Sequence, residues 1–155
     1  MKFFISFAAI CALIFVFTLL FRGSKLKLGK TTDEANAKIP ASGGIVKVEN
    51  ENSVINGLSI VIEDGTYESE RSFEIKATEI NGHGFGNEFN PVTPLISIDN
   101  GHEFGKRPMK VTVPINIHAD EFAMGFYFDK KSSRLEALPF ESYSTTHITL
   151  LTNHF

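Results

Sequence analysis

Residues 103–129 read EFGKRPMKVTVPINIHADEFAMGFYFD, and this stretch decides the fold. Its first half alternates apolar and polar residues, and the apolar ones are Val111, Val113, Ile115 and Ile117. A period of two predicts a strand with one face in a core and the other in water. Pro114 falls on the outer face and lacks an N–H, so we expect this strand to lie at a sheet edge or to carry a bulge there.

The second half of the stretch, residues 122–128, predicts another strand. Its larger side chains fall on one face, where we expect the core: Phe122, Met124, Phe126 and Phe128. Only residues 118–121, His-Ala-Asp-Glu, separate the two runs. A polar connection this short predicts that the two strands pair as an antiparallel hairpin.

Short β-type runs of the same kind recur on both sides of this stretch. They cover residues 45–48, 58–62, 73–77, 95–98, 135–138 and 148–151. With the two central strands they give about eight strands at intervals of roughly ten to fifteen residues, and no amphipathic helix interrupts them. The spacing predicts an all-β fold, a β-sandwich of about eight short antiparallel strands that spans residues 43–155.

The N-terminal residues 1–22 have a different character. Residues 3–21 form a run of nineteen residues without a charge. As a helix this run would be about 28 Å long, close to the thickness of the hydrocarbon core of a bilayer. We therefore predict one N-terminal transmembrane helix, an anchor or signal-anchor that contacts the membrane through residues 3–21. The alternative is a cleaved signal peptide, against which the length of the run and the lack of a following A-x-A site argue.

Residues 23–42 are predicted to be a polar linker between the anchor and the β-domain. The part from Lys30 to Ser42 reads KTTDEANAKIPAS, with few apolar residues and no periodic pattern. Pro40 limits any helical turn in its alanine-rich part. Such a composition is typical of a stalk that connects two parts of a protein.

The charges are divided unevenly along the chain. Residues 1–30 hold five of the fifteen basic residues and none of the eighteen acidic ones, so the remainder carries a net charge of −8. An acidic domain without clustered Lys or Arg argues against nucleic acid as a partner. Four basic residues follow the apolar run, and under the positive-inside rule they favour a cytoplasmic β-domain: Arg22, Lys25, Lys27 and Lys30.

Patterns that would indicate catalysis or metal binding are weak. Residues 82–86, GHGFG, are not followed by a helix start, so they predict a flexible loop rather than a phosphate site. The five histidines are scattered, and the only cysteine, Cys11, lies in the apolar run. No serine stands in a G-x-S-x-G elbow. We therefore predict a protein that is not an enzyme and that uses neither a metal nor a cofactor.

Five short motifs stand in order along residues 43–155. They are GGIV at 43–46, GLSIVIEDG at 57–65, FGKRP at 104–108 with Val111, Val113 and Pro114 after it, FYFD at 126–129, and LEAL at 135–138. Their order and content resemble the ZU-five domain, the β-sandwich found in ankyrins, netrin receptors, zonula occludens proteins and bacterial surface proteins. The third motif resembles the family's F-x-K-P-V-x-L-x-I-P. Glu63, Thr66 and Leu135 stand where the family usually has proline, alanine and tryptophan.

The resemblance implies a non-enzymatic module for protein interaction or structural support, whose protein partner it does not identify. It also implies structural roles for eight motif residues: Gly43, Gly44, Gly65, Phe104, Lys106, Pro108, Pro114 and Asp129. Because bacterial members of the family are surface proteins, the resemblance implies an extracytoplasmic β-domain. This expectation, which we adopt, conflicts with the positive-inside argument.

The last residues of the sequence suggest an alternative function. Bacterial members of the family often close on an H-F-S segment, and related self-cleaving modules break the bond between Phe and Ser. This sequence ends in Asn153-His154-Phe155. A hydroxyl on a following residue could attack the Phe155 carbonyl, with His154 as base or orienting group. The protein would then be the N-terminal part of a self-cleaving or larger exported precursor; otherwise Phe155 ends the last strand with its ring in the core.

Overall fold

The computed structural model describes residues 26–155. The predicted anchor, with its membrane contact through residues 3–21, lies outside the described residues. Residues 26–155 contain no helix that is long and apolar enough to cross a membrane.

The described residues form ten strands and no helix, which confirms the all-β class. The strands are β1 (Lys27–Ile39), β2 (Gly44–Lys47), β3 (Ser59–Ile62), β4 (Arg71–Gly82), β5 (Leu95–Asp99), β6 (Met109–Pro114), β7 (Phe126–Asp129), β8 (Arg134–Ala137), β9 (Phe140–Tyr143) and β10 (His147–Thr152). They make a three-stranded sheet in the order β1-β4-β5, a five-stranded sheet in the order β2-β3-β6-β10-β9, and a two-stranded ribbon of β7 and β8. All pairings are antiparallel.

The two larger sheets share one core, in a sandwich-like arrangement. Strand β4 contributes Phe73, Ile75 and Ala77, and the five-stranded sheet contributes residues such as Ile60 and Val111 to the same buried cluster. The alternation in the sequence explains this arrangement, because residues two apart along a strand share a face. Strand β6, from the stretch that predicted the fold, alternates buried and half-buried residues along its whole length.

The prediction of a polar linker at residues 23–42 is wrong, because β1 occupies most of this range. Strand β1 pairs with β4 over the whole length from Lys27 to Ile39, with three register shifts. Among its residues only Ile39 is buried, while Ala35 and Ala37 pack against the core from partly exposed positions. In an edge strand that has alanines on its inner face, the two faces differ little in hydrophobicity. The sequence therefore shows no clear alternation from which the strand could be predicted.

The predicted hairpin within residues 103–129 is also wrong. Strand β6 pairs with β3 on one side and β10 on the other, whereas β7 pairs with β8. Strand β6 is therefore the middle strand of five, not an edge. Pro114 is tolerated because β3 pairs only with residues 110–112 of β6, so the missing N–H of the last residue interrupts no ladder on that side.

The predicted core face of residues 122–128 is wrong at the start of the run, where the opposite face is buried. Ala123 is buried, whereas Phe122 and Met124 are 55% and 53% exposed, and Phe126 is 39% exposed. The small residues face inward because the chain passes close to β10: a Cβ on Gly125 would lie 2.4 Å from Leu150 Cδ2. Side-chain size therefore predicted the wrong face, since close backbone approach requires small residues at the contact.

Candidate functional site

A cleft of about 1520 Å³ is lined by residues from all three sheets. Strands β5 and β7 line it along their entire lengths, and parts of β6 and β10 form its floor. We call this space the cleft.

The floor of the cleft is formed by buried residues of the hydrophobic core. On β6 and β10, the pairs Val111–Leu150 and Val113–Ile148 lie directly opposite each other and share the core face. Strand β5 contributes Ile96 and Ile98, which pair with the buried Ala77 and Ile75 of β4 and so share their face. These isoleucines are only partly buried. The cleft is therefore an opening into the space between the two larger sheets on the side of β5.

One wall of the cleft is aromatic. Phe85 and Phe89, from the glycine-rich loop after β4, line it and contact each other edge to face with ring centroids 5.0 Å apart. The ribbon meets them through Phe128, whose ring is 6.4 Å from Phe85, and Phe126, whose ring is 6.2 Å from Phe89. His83 completes the cluster, 5.0 Å from Phe89. The loop predicted as merely flexible thus brings aromatic rings to the rim of the cleft.

Among residues 26–155, both strands that line the cleft along their length have an edge without a partner strand. Strand β5 is the last strand of its sheet as described and pairs with β4, and β7 pairs with β8. Backbone N–H and C=O groups on such edges are free to pair with another extended chain. The cleft therefore combines an aliphatic floor, an aromatic wall and two rows of available backbone groups.

At the end of β7, Asp129 organises the turn that joins the ribbon. Its carboxylate accepts a hydrogen bond from the Ser132 hydroxyl at 2.5 Å and one from the backbone N–H of Lys131 at 2.8 Å. These hydrogen bonds, with that of Ser132 the larger, lower the pKa of Asp129 below its ordinary value. The residue that the ZU-five resemblance marks as structural therefore has a turn-forming role.

A second polar region, which we call the closed end, surrounds Tyr67, Phe73 and Asn100. The buried Asn100 amide donates to the Tyr67 hydroxyl at 2.8 Å and to the Glu103 carbonyl at 2.9 Å, and Tyr67 donates to Met109 Sδ at 3.2 Å. Burial raises the pKa of Tyr67, so its hydroxyl stays protonated at neutral pH.

Arginine and glutamate side chains cover this buried tyrosine. Arg71 pairs with Glu103, and its guanidinium carbon lies 5.8 Å from the centre of the Tyr67 ring. The arrangement fixes the segment after β5 over the core, since Asn100 and Glu103 both follow that strand. The closed end is a set of structural contacts rather than a pocket.

Two of the eight motif residues, Phe104 and Lys106, lie beside the closed end, together with their neighbour Gly105. The backbone N–H of Gly105 donates to the Asn153 carbonyl at 2.7 Å, and that of Lys106 donates to the Thr66 carbonyl at 2.9 Å. The Lys106 ammonium pairs with Glu68 at 2.7 Å. Phe104 is exposed and stacks on His154, with ring centroids 4.9 Å apart.

The other motif residues sit at turns and strand ends. Gly43 and Gly65 adopt left-handed conformations with φ of +83° and +73°, which glycine accepts without strain. Gly44 is the first residue of β2, Pro114 is the last of β6, and Pro108 immediately precedes β6. These residues end or redirect strands, and none of them lines the cleft.

The last two residues are held by the closed end and the ribbon. The His154 ring lies between Phe104 and Tyr127, whose ring centroid is 5.4 Å away, and Thr152 Oγ1 donates to the His154 carbonyl at 2.7 Å. Phe155 packs partly buried against the core and meets Phe73 edge to face at 6.3 Å. The Phe155 ring thus contacts the core, as the strand-end interpretation expects, although β10 ends at Thr152; the self-cleavage alternative stays a prediction.

Metal-binding side chains do not cluster within residues 26–155. No group of three or more His, Cys, Asp or Glu side chains in this part of the chain is arranged to hold a metal ion. Besides its apolar residues, the cleft is lined by charged side chains such as Lys76, Asp99 and Lys131.

Comparison of the chain with protein-family models, with curated proteins and with solved structures finds no match. The resemblance to the ZU-five domain therefore rests on the sequence motifs alone and stays a prediction.

Proposed function

We propose that the protein is a membrane-tethered, non-enzymatic β-sandwich module of the ZU-five type that binds a protein partner at the cleft. The observation that carries this proposal is the combination, along one cleft, of exposed apolar side chains (Phe122, Met124 and Phe126) and two strand edges that have no partner strand among residues 26–155. A protein chain satisfies both features at once, because it supplies apolar side chains and backbone groups together.

The composition of the cleft supports binding rather than catalysis. Its floor is made of valine, isoleucine and leucine side chains, and its aromatic wall comes from phenylalanines. Catalytic sites need groups that donate, accept or attack, whereas surfaces of this composition exchange apolar contacts. The closed end, where polar groups are buried, holds the chain together through hydrogen bonds of its own.

The tether puts the cleft near the membrane. Residues 22–25 separate the predicted span from Leu26, which lines the cleft. Four extended residues reach at most about 14 Å, so a partner in or on the same membrane lies within reach. We place the β-domain on the extracytoplasmic side, and protease digestion of intact cells tests this placement. Cleavage within residues 26–155 is expected, whereas full protection would indicate a cytoplasmic domain.

Site-specific photocrosslinking in intact membranes tests the binding function. A photoreactive residue at Ser97, in the middle of β5, is expected to give an adduct of defined mass with a protein. The matched control is the same residue at Ser142 on β9, which is an edge strand of the five-stranded sheet. Equal labelling at both positions, or none at Ser97 in a folded protein, would refute binding at the cleft.

A further inference from the structure

We infer that Asn81 is a site of spontaneous modification, at which the side-chain amide converts to aspartate and isoaspartate within the folded protein. This inference stands apart from the proposed function, because it follows from covalent chemistry and local structure. The backbone nitrogen of Gly82 attacks the side-chain carbonyl carbon of Asn81, and ammonia leaves as a cyclic succinimide forms. Water then opens the ring at either carbonyl. One opening gives aspartate, and the other gives isoaspartate, in which the main chain runs through the side-chain carbon.

Glycine after asparagine favours this reaction, because glycine has no Cβ to hinder its nitrogen. The sequence contains three such pairs, which begin at Asn56, Asn81 and Asn100. The three pairs start from the same chemistry, so the folded structure decides which of them reacts.

The pair at Asn56 is restrained at both reacting groups. The Gly57 N–H donates to the Val48 carbonyl at 2.9 Å. The side-chain oxygen of Asn56 accepts a hydrogen bond from the backbone N–H of Asn50 at 3.1 Å. Both hydrogen bonds hold the nitrogen and the side chain in place, so we expect slow reaction at Asn56 in the folded protein even though this residue is exposed.

The pair at Asn100 is restrained in the same way and is also buried. Asn100 is 2% exposed, which limits the access of water. Its amide donates to the Tyr67 hydroxyl and to the Glu103 carbonyl, and the Gly101 N–H donates to the Asp99 carboxylate at 2.8 Å. Ring closure at Asn100 would therefore break several hydrogen bonds of the closed end.

The pair at Asn81 lies at an irregular and terminal point of a strand ladder. The Asn81 side chain is exposed. Lys27 of β1 pairs with Gly82, whereas the next residue of β1 pairs with Ile80. Asn81 is therefore the extra residue of a β-bulge, where the ladder is locally disrupted. The pair of Lys27 and Gly82 is also the last of this ladder within residues 26–155, and the ends of ladders open most readily.

Modification at this position would act on the aromatic wall of the cleft. The loop that carries Phe85 and Phe89 starts directly after Gly82, the last residue of β4. Isoaspartate adds a carbon to the main chain between β4 and this loop, and either product adds a negative charge beside it. The contact between the rings of Phe85 and Phe128 should therefore loosen as the protein ages.

The chain offers a matched control variant, Gly82→Ala. The nearest atoms to a Cβ on Gly82 would be Lys27 Cδ and Cβ, at 3.5 and 3.9 Å, which are ordinary contacts. Gly57 and Gly101 have φ of +91° and +79°, where a side chain would be strained, but Gly82 does not adopt this conformation. The variant should fold normally, and modification of residue 81 should be at least about tenfold slower in it, because the added Cβ hinders the nitrogen.

The test is an ageing experiment on the full chain in detergent micelles. The protein is incubated at mildly alkaline pH, digested at mildly acidic pH and mapped by mass spectrometry. We expect modification at Asn81 to be at least about tenfold faster than at Asn56 or Asn100, because the end of the ladder opens more readily than the restrained segments. In urea the three asparagines should react at similar rates, since the fold no longer distinguishes them.

Two results would overturn the inference directly. One is modification at Asn56 or Asn100 as fast as at Asn81 in the folded protein, and the other is an unchanged rate in Gly82→Ala. An Asn81 that stays intact in the folded protein while the chain in urea is modified would show that the ladder protects it, which also refutes the inference.

The effect on the cleft has a readout of its own. The nuclear Overhauser effect between the Phe85 and Phe128 rings should weaken in aged protein but not in aged Gly82→Ala. An unchanged signal in fully modified protein would show that the loop keeps its position, and would contradict the expected effect on the aromatic wall.

Discussion

Phe73 and Phe126 show how differently this chain treats two phenylalanines. Phe73, at the closed end, is 0% exposed and packs edge to face against Tyr67 and Phe155. Phe126, beside the cleft, is 39% exposed and meets Phe89 at the rim. The closed end is sealed by chain segments from β4, from the turn after β5 and from the last residues. Beside the cleft, by contrast, apolar side chains such as Phe126 remain exposed to water.

The largest expected effect separates these two phenylalanines. Phe73→Ala should lower the free energy of unfolding by about 3–5 kcal/mol, because it removes a fully buried ring from a packed core. Phe126→Ala should cost about 1–2 kcal/mol, since that ring is already partly in water. Urea unfolding followed by circular dichroism measures both. Similar losses for the two variants would mean that the cleft is as tightly packed as the closed end.

Two glycines provide a finer comparison. A Cβ on Gly105 would lie 2.8 Å from Thr66 Cγ2 and 2.9 Å from the Arg107 carbonyl, which is backbone and cannot rotate away. The nearest atoms to a Cβ on Gly125 would be those of the Leu150 side chain, at 2.4–3.0 Å, and the end of a side chain can move more readily than the backbone. Gly105→Ala should therefore cost about 1–3 kcal/mol and Gly125→Ala clearly less.

The same unfolding experiment measures the glycine variants. If Gly125→Ala proved as costly as Gly105→Ala, Leu150 would have no free space beside it. The cleft would then be filled or closed in solution, and the contrast between the two regions would fail.

A third comparison uses two tyrosine hydroxyls. Tyr67→Phe removes the acceptor for Asn100 and the donor to Met109, and should cost about 1 kcal/mol. Tyr143→Phe, at an exposed position on β9, should change stability by less than about 0.5 kcal/mol. Thermal unfolding of the two variants side by side gives the difference, and a null effect at Tyr67 would argue that the closed end does not depend on its polar network.

The smallest expected effect concerns the turn of the ribbon. Because hydrogen bonds from Ser132 and Lys131 lower the pKa of Asp129 below 3.8, the ionised form stabilises the folded state. This contribution is fully present above the unfolded pKa and is lost as the pH falls through the folded pKa. NMR titration of the carboxyl carbon should give a depressed pKa that rises toward 3.8 in Ser132→Ala. If the pKa of Asp129 were unchanged in that variant, the Ser132 hydroxyl would not be the cause of the lowered pKa.

Strands with regular alternation could be predicted from the sequence. The runs at 45–48, 58–62, 95–98 and 148–151 correspond to β2, β3, β5 and β10, and the run at 111–117 begins within β6. The pairing partners of these strands could not be predicted, because a short polar connection is compatible with a hairpin but does not require one. Strand β9, whose four residues are all exposed, offered no buried face to detect.

The cleft could not be predicted from the sequence pattern either, because it also depends on how the strands are arranged in space. The cleft is lined by strands that are far apart in the sequence, such as β5 and β7, and their arrangement in space leaves no mark on local sequence. Phe85 and Phe89 gave a partial signal, since large rings in a glycine-rich loop need a surface to pack on. The eight motif residues were visible, but the structure puts them mostly at turns, strand ends and the closed end, and of the eight only Asp129 lines the cleft.

Strand β1 has a mechanical consequence for a chain that is held at its N-terminal side. Ten of its residues pair with β4, beginning at Lys27. A pull along the strand would load these pairs together in shear, whereas a pull away from the sheet would open them one after another from Lys27. The register shift next to Leu28 would make the first step of that opening the easiest. The direction of force, rather than its size alone, would decide whether the edge of the sheet holds or peels.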